Sequence, residues 1–211
     1  MQKLIIVGAG GFGREVCAWA RQCPDFRREW DIAGFLDDNP DALEGYDVGL
    51  PVLNAISSYK PRARDVFVCA LGQPQVKRAC LEPLLDKGAR FIQLIHPSVL
   101  IGDRVELGEG VVLCPRVTLT SDIVIENYAS FNLNSSAGHD VSVGAFSQVN
   151  SFCDLTGGVE VGREVLLGSH ATVLPGTKIG DRSIVGAGSV VLRDVPDDTT
   201  VFGSPAKAVA S

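Results

Sequence analysis

The chain has 211 residues, of which 45% are apolar, and a formal net charge of −6 at pH 7. This length suits one large domain or two small ones, and the negative charge disfavours a nucleic-acid partner. No apolar stretch is long enough to span a bilayer. The apolar run at residues 4–7 is too short for a signal peptide. We therefore expect a cytoplasmic protein without a membrane partner.

Predicted strands and helices alternate in the first 95 residues, with strands at 4–7, 32–36, 65–71 and 89–94 and helices at 15–22 and 74–87. Such alternation is typical of a parallel α/β sheet. We predict a small Rossmann-like domain over residues 1–95. It is about half the size of a full dinucleotide-binding fold.

A glycine turn links the first strand to the first helix, and Gly8, Gly10 and Gly13 satisfy the pattern G-x-G-x-x-G. Glycines allow the backbone to approach a phosphate, and a helix N-terminus favours negative charge. Because a second mononucleotide half is missing, we prefer a nucleotide or nucleotide-sugar ligand over NAD. Glycines that serve only tight strand–helix packing are the alternative.

Asp37 follows the second predicted strand at the edge where ligands of open α/β sheets bind. Its carboxylate has the chemistry to accept hydrogen bonds from a base or a ribose. A turn carboxylate in solvent is the alternative at this position.

An apolar residue recurs at every sixth position from residue 101 to residue 191, and all of these except Phe131 and Ala137 are Ile, Leu or Val. A period of six fits neither an α-helix nor a β-meander. It is the period of a hexapeptide parallel β-helix, in which three repeats form one triangular coil of eighteen residues. We predict this β-helix, with a C-terminal tail, over residues 96–211.

His139 lies two residues after the inward Ala137, so its side chain is expected to point away from the prism interior. An outward imidazole beside a carboxylate, here Asp140, is able to act as a general base near neutral pH. A solvated surface histidine is the alternative. Gly157 follows eighteen residues later, one coil above, where its amide would face the same groove.

A metal centre is not indicated by the sequence. A catalytic zinc needs about three protein ligands, whereas the solenoid contains only His139 and His170, on different faces. The six cysteines form no CxxC pair. We expect reduced structural cysteines and no metal.

These features together resemble the bacterial sugar N- and O-acyltransferases of the PglD/NeuD type, over nearly the whole chain. The resemblance is carried by the hexapeptides and by five motifs, which are GAGGFGRE at 8–15, FLDD at 35–38, IHP at 95–97, GHD at 138–140 and GSPAK at 203–207. It implies a left-handed β-helix, a homotrimer, and acetyl-CoA bound between neighbouring solenoids as co-substrate.

The resemblance also implies roles for individual residues. His139 and Asp140 would be catalytic, as the base and the residue that orients it. A nucleotide-linked sugar would be bound by Gly8, Gly10, Gly11, Gly13, Asp37, Gly72 and Asn132. Coenzyme A would be bound by Gln148, Gly157, Ala187, Pro205 and Lys207. Gln148 stands where some family members carry a second histidine, and it cannot change charge near pH 7.

The function that this resemblance implies is direct transfer of an acetyl group from acetyl-CoA to the amine of a nucleotide-linked sugar. O-acetylation of a sugar of the sialic-acid type is the first alternative, since one base can serve an amine or a hydroxyl. A non-catalytic nucleotide-sugar-binding protein and a nicotinamide oxidoreductase are the others.

Overall fold

The computed structural model describes residues 1–209, and the chain divides into two compact units, residues 1–97 and 98–211. Residues 210 and 211, the last two of the predicted domain 96–211, lie outside the described residues. Neither helix in the described part of the chain is long and apolar enough to cross a membrane.

The first unit is a parallel sheet with two helices. Its elements in chain order are β1 (Gln2–Val7), α1 (Gly11–Ala20), β2 (Trp30–Leu36), β3 (Val52–Asn54), β4 (Asp65–Cys69), α2 (Pro74–Asp86) and β5 (Leu94–Ile95). The strand order is β3-β2-β1-β4, and all three pairings are parallel. Strands β1 and β4 are mostly apolar runs buried on both faces, as is typical of a parallel sheet. The predicted α/β sheet is confirmed.

Three details of this unit differ from the sequence prediction. The first helix begins at Gly11 instead of residue 15, because the turn is complete at Gly10, whose extended backbone forms the N-cap. The strand predicted at 89–94 is reduced to a bridge between Phe91 and Phe67. The short exposed strand β3 has no apolar alternation and was not predicted.

The second unit is a β-helix of short strands. They are β6 (Leu100–Ile101), β7 (Val105–Leu107), β8 (Val112–Leu113), β9 (Thr118–Leu119), β10 (Ile123–Ile125), β11 (Ser130–Phe131), β12 (Ser136–Ala137), β13 (Ser142–Val143), β14 (Gln148–Val149), β15 (Asp154–Leu155), β16 (Glu160–Val161), β17 (Leu166–Leu167), β18 (Thr172–Val173), β19 (Lys178–Ile179), β20 (Ile184–Val185), β21 (Val190–Val191), β22 (Thr200–Gly203) and β23 (Ala206–Ala208).

These strands form the three faces of a prism. One face is β6-β9-β12-β15-β18-β21, the next runs from β8 through β11, β14, β17 and β20 to β22 and β23, and the third is β7-β10-β13-β16-β19. From β6 to β21, each strand residue pairs in parallel with the residue eighteen positions away, as Ala137 does with Leu155. The spacing drops to sixteen between β20 and β22, and β22 pairs with β23 in antiparallel fashion. The predicted parallel β-helix is confirmed, while its left hand is what the resemblance implies.

The interior of the prism is filled by the predicted sixth-position residues, and Ala137, Leu155 and Val173 have no exposed surface. Small polar residues also face inward and are paired. The buried Ser135 hydroxyl donates to the Asn150 carbonyl oxygen and accepts from the Cys153 amide. Burial raises the pKa of the Cys153 thiol to about 11, which fits a structural thiol.

Every coil turns through a residue with positive φ, three positions after the inward aliphatic. Asp122 (φ 56°) and Asp140 (φ 61°) are examples on consecutive coils. From residue 122 onward, the amide of each such residue donates to a carbonyl oxygen of the coil below, as Asp140 does to Ser121 at 3.1 Å. Equivalent corner side chains therefore leave the prism in equivalent directions, one coil apart.

Candidate active site

His139 stands at a corner of the prism and points into solvent. We call this column the His139 corner, consisting of residues 103–104, 121–122, 139–140, 157–158 and 175–176. The His139 Nδ1 lies 2.7 Å from Asp140 Oδ2, and both side chains are about two-thirds exposed, at 70% and 67%. The carboxylate accepts a hydrogen bond from Nδ1–H, which leaves the basic lone pair on Nε2.

The imidazole lies directly over Gly157 of the next coil. A Cβ built on Gly157 would be 2.5 Å from His139 Nε2 and 2.6 Å from Cε1. Real Cβ atoms do not approach this closely, so only glycine leaves room for the ring. The structure thus brings together three of the predicted residues, His139, Asp140 and Gly157.

The backbone amide of Gly157 is open. Among residues 1–209 it donates to no protein acceptor, whereas equivalent amides at another corner are capped by side chains. The Glu109 and Arg163 amides, for example, donate to Asn127 Oδ1 and Asp181 Oδ1. A backbone N–H without a protein acceptor, next to a basic nitrogen, is suited to bind an oxygen atom that gains negative charge during a reaction.

A bidentate ion pair lies below the dyad on the same corner. Arg104 Nε and Nη2 lie 2.5 and 2.8 Å from the two carboxylate oxygens of Asp122. The hydrogen bonds from Arg104 lower the pKa of Asp122, and those to Asp122 raise the pKa of Arg104. The sequence analysis missed this pair, although its spacing of eighteen residues was visible.

The remaining predicted residues of the solenoid lie away from His139 within the chain. Ala187 follows β20 at the corner we call the Ala187 corner (residues 115–116, 133–134, 151–152, 169–170 and 187–188), and Asn132 follows β11 directly before this corner. The Asn132 carboxamide oxygen accepts a hydrogen bond from the next amide in the chain, that of Leu133.

Pro205 and Lys207 lie in and after the turn between β22 and β23, on the sheet that precedes the Ala187 corner. They line a pocket of about 250 Å³ together with Leu192, Arg193 and Ala206. The two cations there suit a phosphate group. Arg193 was not predicted, since it falls where the hexapeptide period ends.

Gln148 does not present a free surface. It is 1% exposed, and its Nε2 lies 3.5 Å from Asn150 Oδ1. This burial disfavours the direct contact with coenzyme A that the resemblance implies, so we leave Gln148 out of the proposed site.

The glycines of the first unit separate into two kinds. A Cβ on Gly13 would overlap the Gly8 carbonyl oxygen, and Gly8 has φ of 101°, so the fold itself requires glycine at both positions. A Cβ on Gly10 or Gly72 meets nothing within 4 Å, and one on Gly11 meets only the tip of a flexible arginine. Neither packing nor backbone strain therefore requires glycine at these three positions.

Asp37 is tied into the glycine turn. Its Oδ2 accepts from the Ala9 amide at 2.7 Å, and its Oδ1 accepts from the Asn39 amide at 2.9 Å. The carboxylate therefore orders the turn, which neither of the two sequence-based interpretations anticipated. Beside the turn, the Arg14 guanidinium lies 3.6 Å from the centre of the Tyr46 ring.

No group of three His, Cys, Asp or Glu side chains suited to a metal ion occurs within the described residues. The groups at the His139 corner that have the chemistry to bind a metal are one imidazole and carboxylates. The imidazole and the Asp140 carboxylate are instead arranged as a base and the residue that orients it.

Comparison with family models matches both parts of the chain. Residues 3–84 match the PglD N-terminal domain, and residues 158–193 match the bacterial transferase hexapeptide repeats. A GDP-perosamine N-acetyltransferase from Escherichia coli O157:H7 is 28% identical over 96% of this chain and 94% of its own length.

Solved structures match the whole chain. The acetyltransferase domain of PglB from Neisseria gonorrhoeae is 26% identical, covers 99% of this chain and 100% of its own, and gives a TM-score of 0.90. PerB from Caulobacter crescentus, in complex with CoA and GDP-perosamine, is 30% identical, with a TM-score of 0.87 over 100% of this chain and 98% of its own. Similarity to PerB at this identity extends along both units, and this chain belongs to the PglD/NeuD-type family of bacterial sugar acyltransferases.

Proposed function

We propose that the protein transfers the acetyl group of acetyl-CoA to the amine of a nucleotide-linked amino sugar. The observation that carries this proposal is the exposed His139 imidazole, oriented by Asp140 and seated over the open Gly157 amide. Relatives that match the full chain support the substrate class, since PerB is solved with CoA and GDP-perosamine and the Escherichia coli relative is a GDP-perosamine N-acetyltransferase.

The reaction is a single displacement at the thioester carbonyl. His139 Nε2 takes a proton from the attacking amine, and the nitrogen forms a bond to the carbonyl carbon. The carbon–sulfur bond then breaks, and the imidazolium returns its proton to the departing thiolate. Asp140 fixes the tautomer and stabilises the imidazolium while the proton is held.

Gly157 provides the electrostatic part of catalysis. Its amide has no acceptor within the described residues and is adjacent to His139 Nε2. A thioester placed over this glycine receives a hydrogen bond on its oxygen as negative charge develops there. His139 thus acts on the attacking amine and the Gly157 amide on the thioester oxygen, without rearrangement of the corner.

The first unit, in this proposal, holds the nucleotide. The open glycines Gly10, Gly11 and Gly72 leave backbone accessible at the carboxyl ends of β1 and β4, where ligands of open α/β sheets bind. Binding of the nucleotide orients the sugar amine, and residues of the solenoid carry out the acetyl transfer.

Substitution of two glycines of the turn by alanine separates ligand contact from folding. Gly11→Ala is expected to raise KM for the nucleotide sugar about tenfold with little change in melting temperature, because its methyl group occupies only the space a ligand needs. Gly13→Ala is expected to lower the melting temperature, because its Cβ overlaps the Gly8 carbonyl oxygen. Steady-state kinetics and thermal unfolding measure the two effects. An unchanged KM for Gly11→Ala would argue that the turn binds no nucleotide.

We further propose that two chains complete each coenzyme A site, within a homotrimer. His139 and Gly157 stand at one corner, while Ala187 stands at another corner of the same prism. The two sets therefore face one groove only if neighbouring chains place unlike corners together, as a cyclic arrangement does.

Mixing two inactive variants tests this arrangement. His139→Ala removes the base, and Ala187→Trp fills the opposite edge of the groove. Co-refolded in equal amounts, they are expected to regain about a quarter of wild-type activity, because random assembly pairs the two intact edges at about one site in four. Recovery to no more than the sum of the separate variants would show that each chain carries its own complete site.

The overall activity is tested with guanosine-, uridine- and deoxythymidine-linked amino sugars and acetyl-CoA. Thiol release with a mass increase of one acetyl group is the expected result, and the product resists hydroxylamine because it is an amide. A hydroxylamine-sensitive product would indicate O-acetylation. Nucleotide binding without thiol release would indicate a non-catalytic binding protein.

A further inference from the structure

The Arg104–Asp122 ion pair has no role in the mechanism above, yet it occupies the corner that carries the dyad. Its bidentate geometry holds both side chains in place, although both are exposed. It does not tie together distant parts of the fold, because the coils at residue 104 and residue 122 are already paired by β7 and β10. We therefore expect an electrostatic effect of the pair on His139 and Asp140, which lie on the same corner.

The register of the β-helix places Asp122 directly below Asp140. Both are the positive-φ residue of their coil, with φ of 56° and 61°, and the Asp140 amide donates to the Ser121 carbonyl oxygen at 3.1 Å. Coils are separated by about 4.8 Å. Arg104 (φ 55°) occupies the same position one coil further down. The positive-φ positions of this corner therefore carry charges of minus, minus and plus, in the order Asp140, Asp122 and Arg104.

The charges on this corner act on one another. The His139 imidazole contributes to the lowered pKa of Asp122, and Asp140 contributes to the raised pKa of Arg104. Above the dyad the column is uncharged, since Gly157 and Gly158 follow there. The charged residues of the column are thus Asp140 beside the imidazole, Asp122 one coil below it, and Asp103 and Arg104 two coils below it. On the coil above, the nearest charged residues along the chain are Asp154 and Glu160, which lie outside the column on either side of Gly157.

We propose that Asp122 and Arg104 are positioning residues that set how readily His139 holds the proton it removes from the acceptor amine. Asp122 favours the imidazolium, and Arg104 limits that effect by neutralising Asp122. The pair does not touch the reacting atoms, and it acts through the field at the dyad. This inference rests on the proposed role of His139 as the base.

Two substitutions of opposite electrostatic sign test the inference. Asp122→Asn removes a negative charge, so the pH at which half of the His139 rings are protonated is expected to fall by about half a unit. Arg104→Gln removes the positive charge, so that pH is expected to rise by a similar or smaller amount. The acid limb of the kcat/KM profile is expected to move in the same directions.

The titration is measured by NMR of the imidazole protons, in full-length protein at an ionic strength of about 0.01 M, where the Debye length is about 30 Å. The chain has three histidines, and His139→Ala identifies the resonance of interest. Both shifts are expected to shrink in about 1 M salt, because the charges are exposed.

A second bidentate pair supplies the matched control. Arg182 Nε and Nη2 each lie 2.7 Å from a carboxylate oxygen of Asp198, at a different corner. Asp198→Asn removes the same interaction and is expected to leave the His139 titration unchanged. This variant therefore measures any effect on the titration that comes from losing a surface ion pair anywhere on the solenoid.

Opposite shifts for Asp122→Asn and Arg104→Gln, absent in Asp198→Asn, support the inference. Shifts of the same sign, no shift, or an equal shift in Asp198→Asn would overturn it. The ring titration needs no turnover, so it is measurable even if the protein proves not to transfer acetyl groups. Failure of the proposed activity is detected separately, as absence of thiol release from the wild-type protein, and failure of the proposed role of His139 as near-normal turnover in His139→Ala.

Discussion

Replacement of His139 by alanine is expected to lower kcat by about 10²- to 10⁴-fold, the usual contribution of a positioned general base. The fold should be unaffected, because the imidazole is 70% exposed and fills no cavity. The dissociation constant for coenzyme A should change little, since the ring removes a proton and does not hold the cofactor. Single-turnover kinetics, circular dichroism and calorimetric titration with coenzyme A separate these three effects.

His170 provides the control for this substitution. It is also an exposed solenoid histidine, and it stacks on Phe152 with ring centroids 4.8 Å apart, at the Ala187 corner. His170→Ala is expected to retain most of kcat, because His170 has no carboxylate next to it in sequence and stands at a different corner from the Gly157 amide of its own chain. If both alanine variants turned over at near-normal rates, neither imidazole would be the base.

Gly157→Ala is expected to lower kcat by about 10²-fold or more while the melting temperature stays near that of the wild type. The new Cβ would lie 2.5 Å from His139 Nε2, so the ring must leave the place where Asp140 orients it. The methyl group also covers the open amide that would bind the thioester oxygen. Stability is spared because Gly157 does not have positive φ and the displaced ring moves into solvent.

Gly176→Ala, one coil above on the same corner, should show the reverse pattern. Gly176 has φ of 70°, and a Cβ there meets no atom within 4 Å. Alanine at such φ costs about 1–2 kcal/mol of stability, but it does not touch His139. Steady-state kinetics and thermal unfolding of both variants test this, because one variant should lose activity but not stability and the other stability but not activity. A Gly157→Ala enzyme with normal kcat would remove this glycine from the site.

The hexapeptide period predicted the β-helix because every sixth residue must point inward when three short strands close a triangular coil. The same count placed His139 outside the prism and Gly157 one coil above it. Helix boundaries in the first unit were predicted less well, because the glycine turn leaves the start of α1 to backbone geometry at Gly10. Periodicity carries no information about that geometry.

The glycine motif shows where sequence reasoning stops. The sequence pattern does not distinguish between the glycines of the turn, and it predicts a ligand contact at all four, Gly8, Gly10, Gly11 and Gly13. The structure gives Gly8 and Gly13 a structural reason to be glycine and leaves Gly10 and Gly11 open. The difference lies in which atoms face each Cα, and those atoms come from other parts of the turn and sheet.

The sequence by itself determined the two kinds of fold, the parallel α/β unit and the prism, because strand alternation and a strict period of six follow from which side chains must be buried. It also determined that His139 and Asp140 share a turn. Tertiary structure alone decided that Nε2 lies over Gly157 and that Arg104 and Asp122 form a bidentate ion pair. These relations join residues eighteen positions apart, and their geometry depends on how one coil stacks on the next and on the positive φ at each corner.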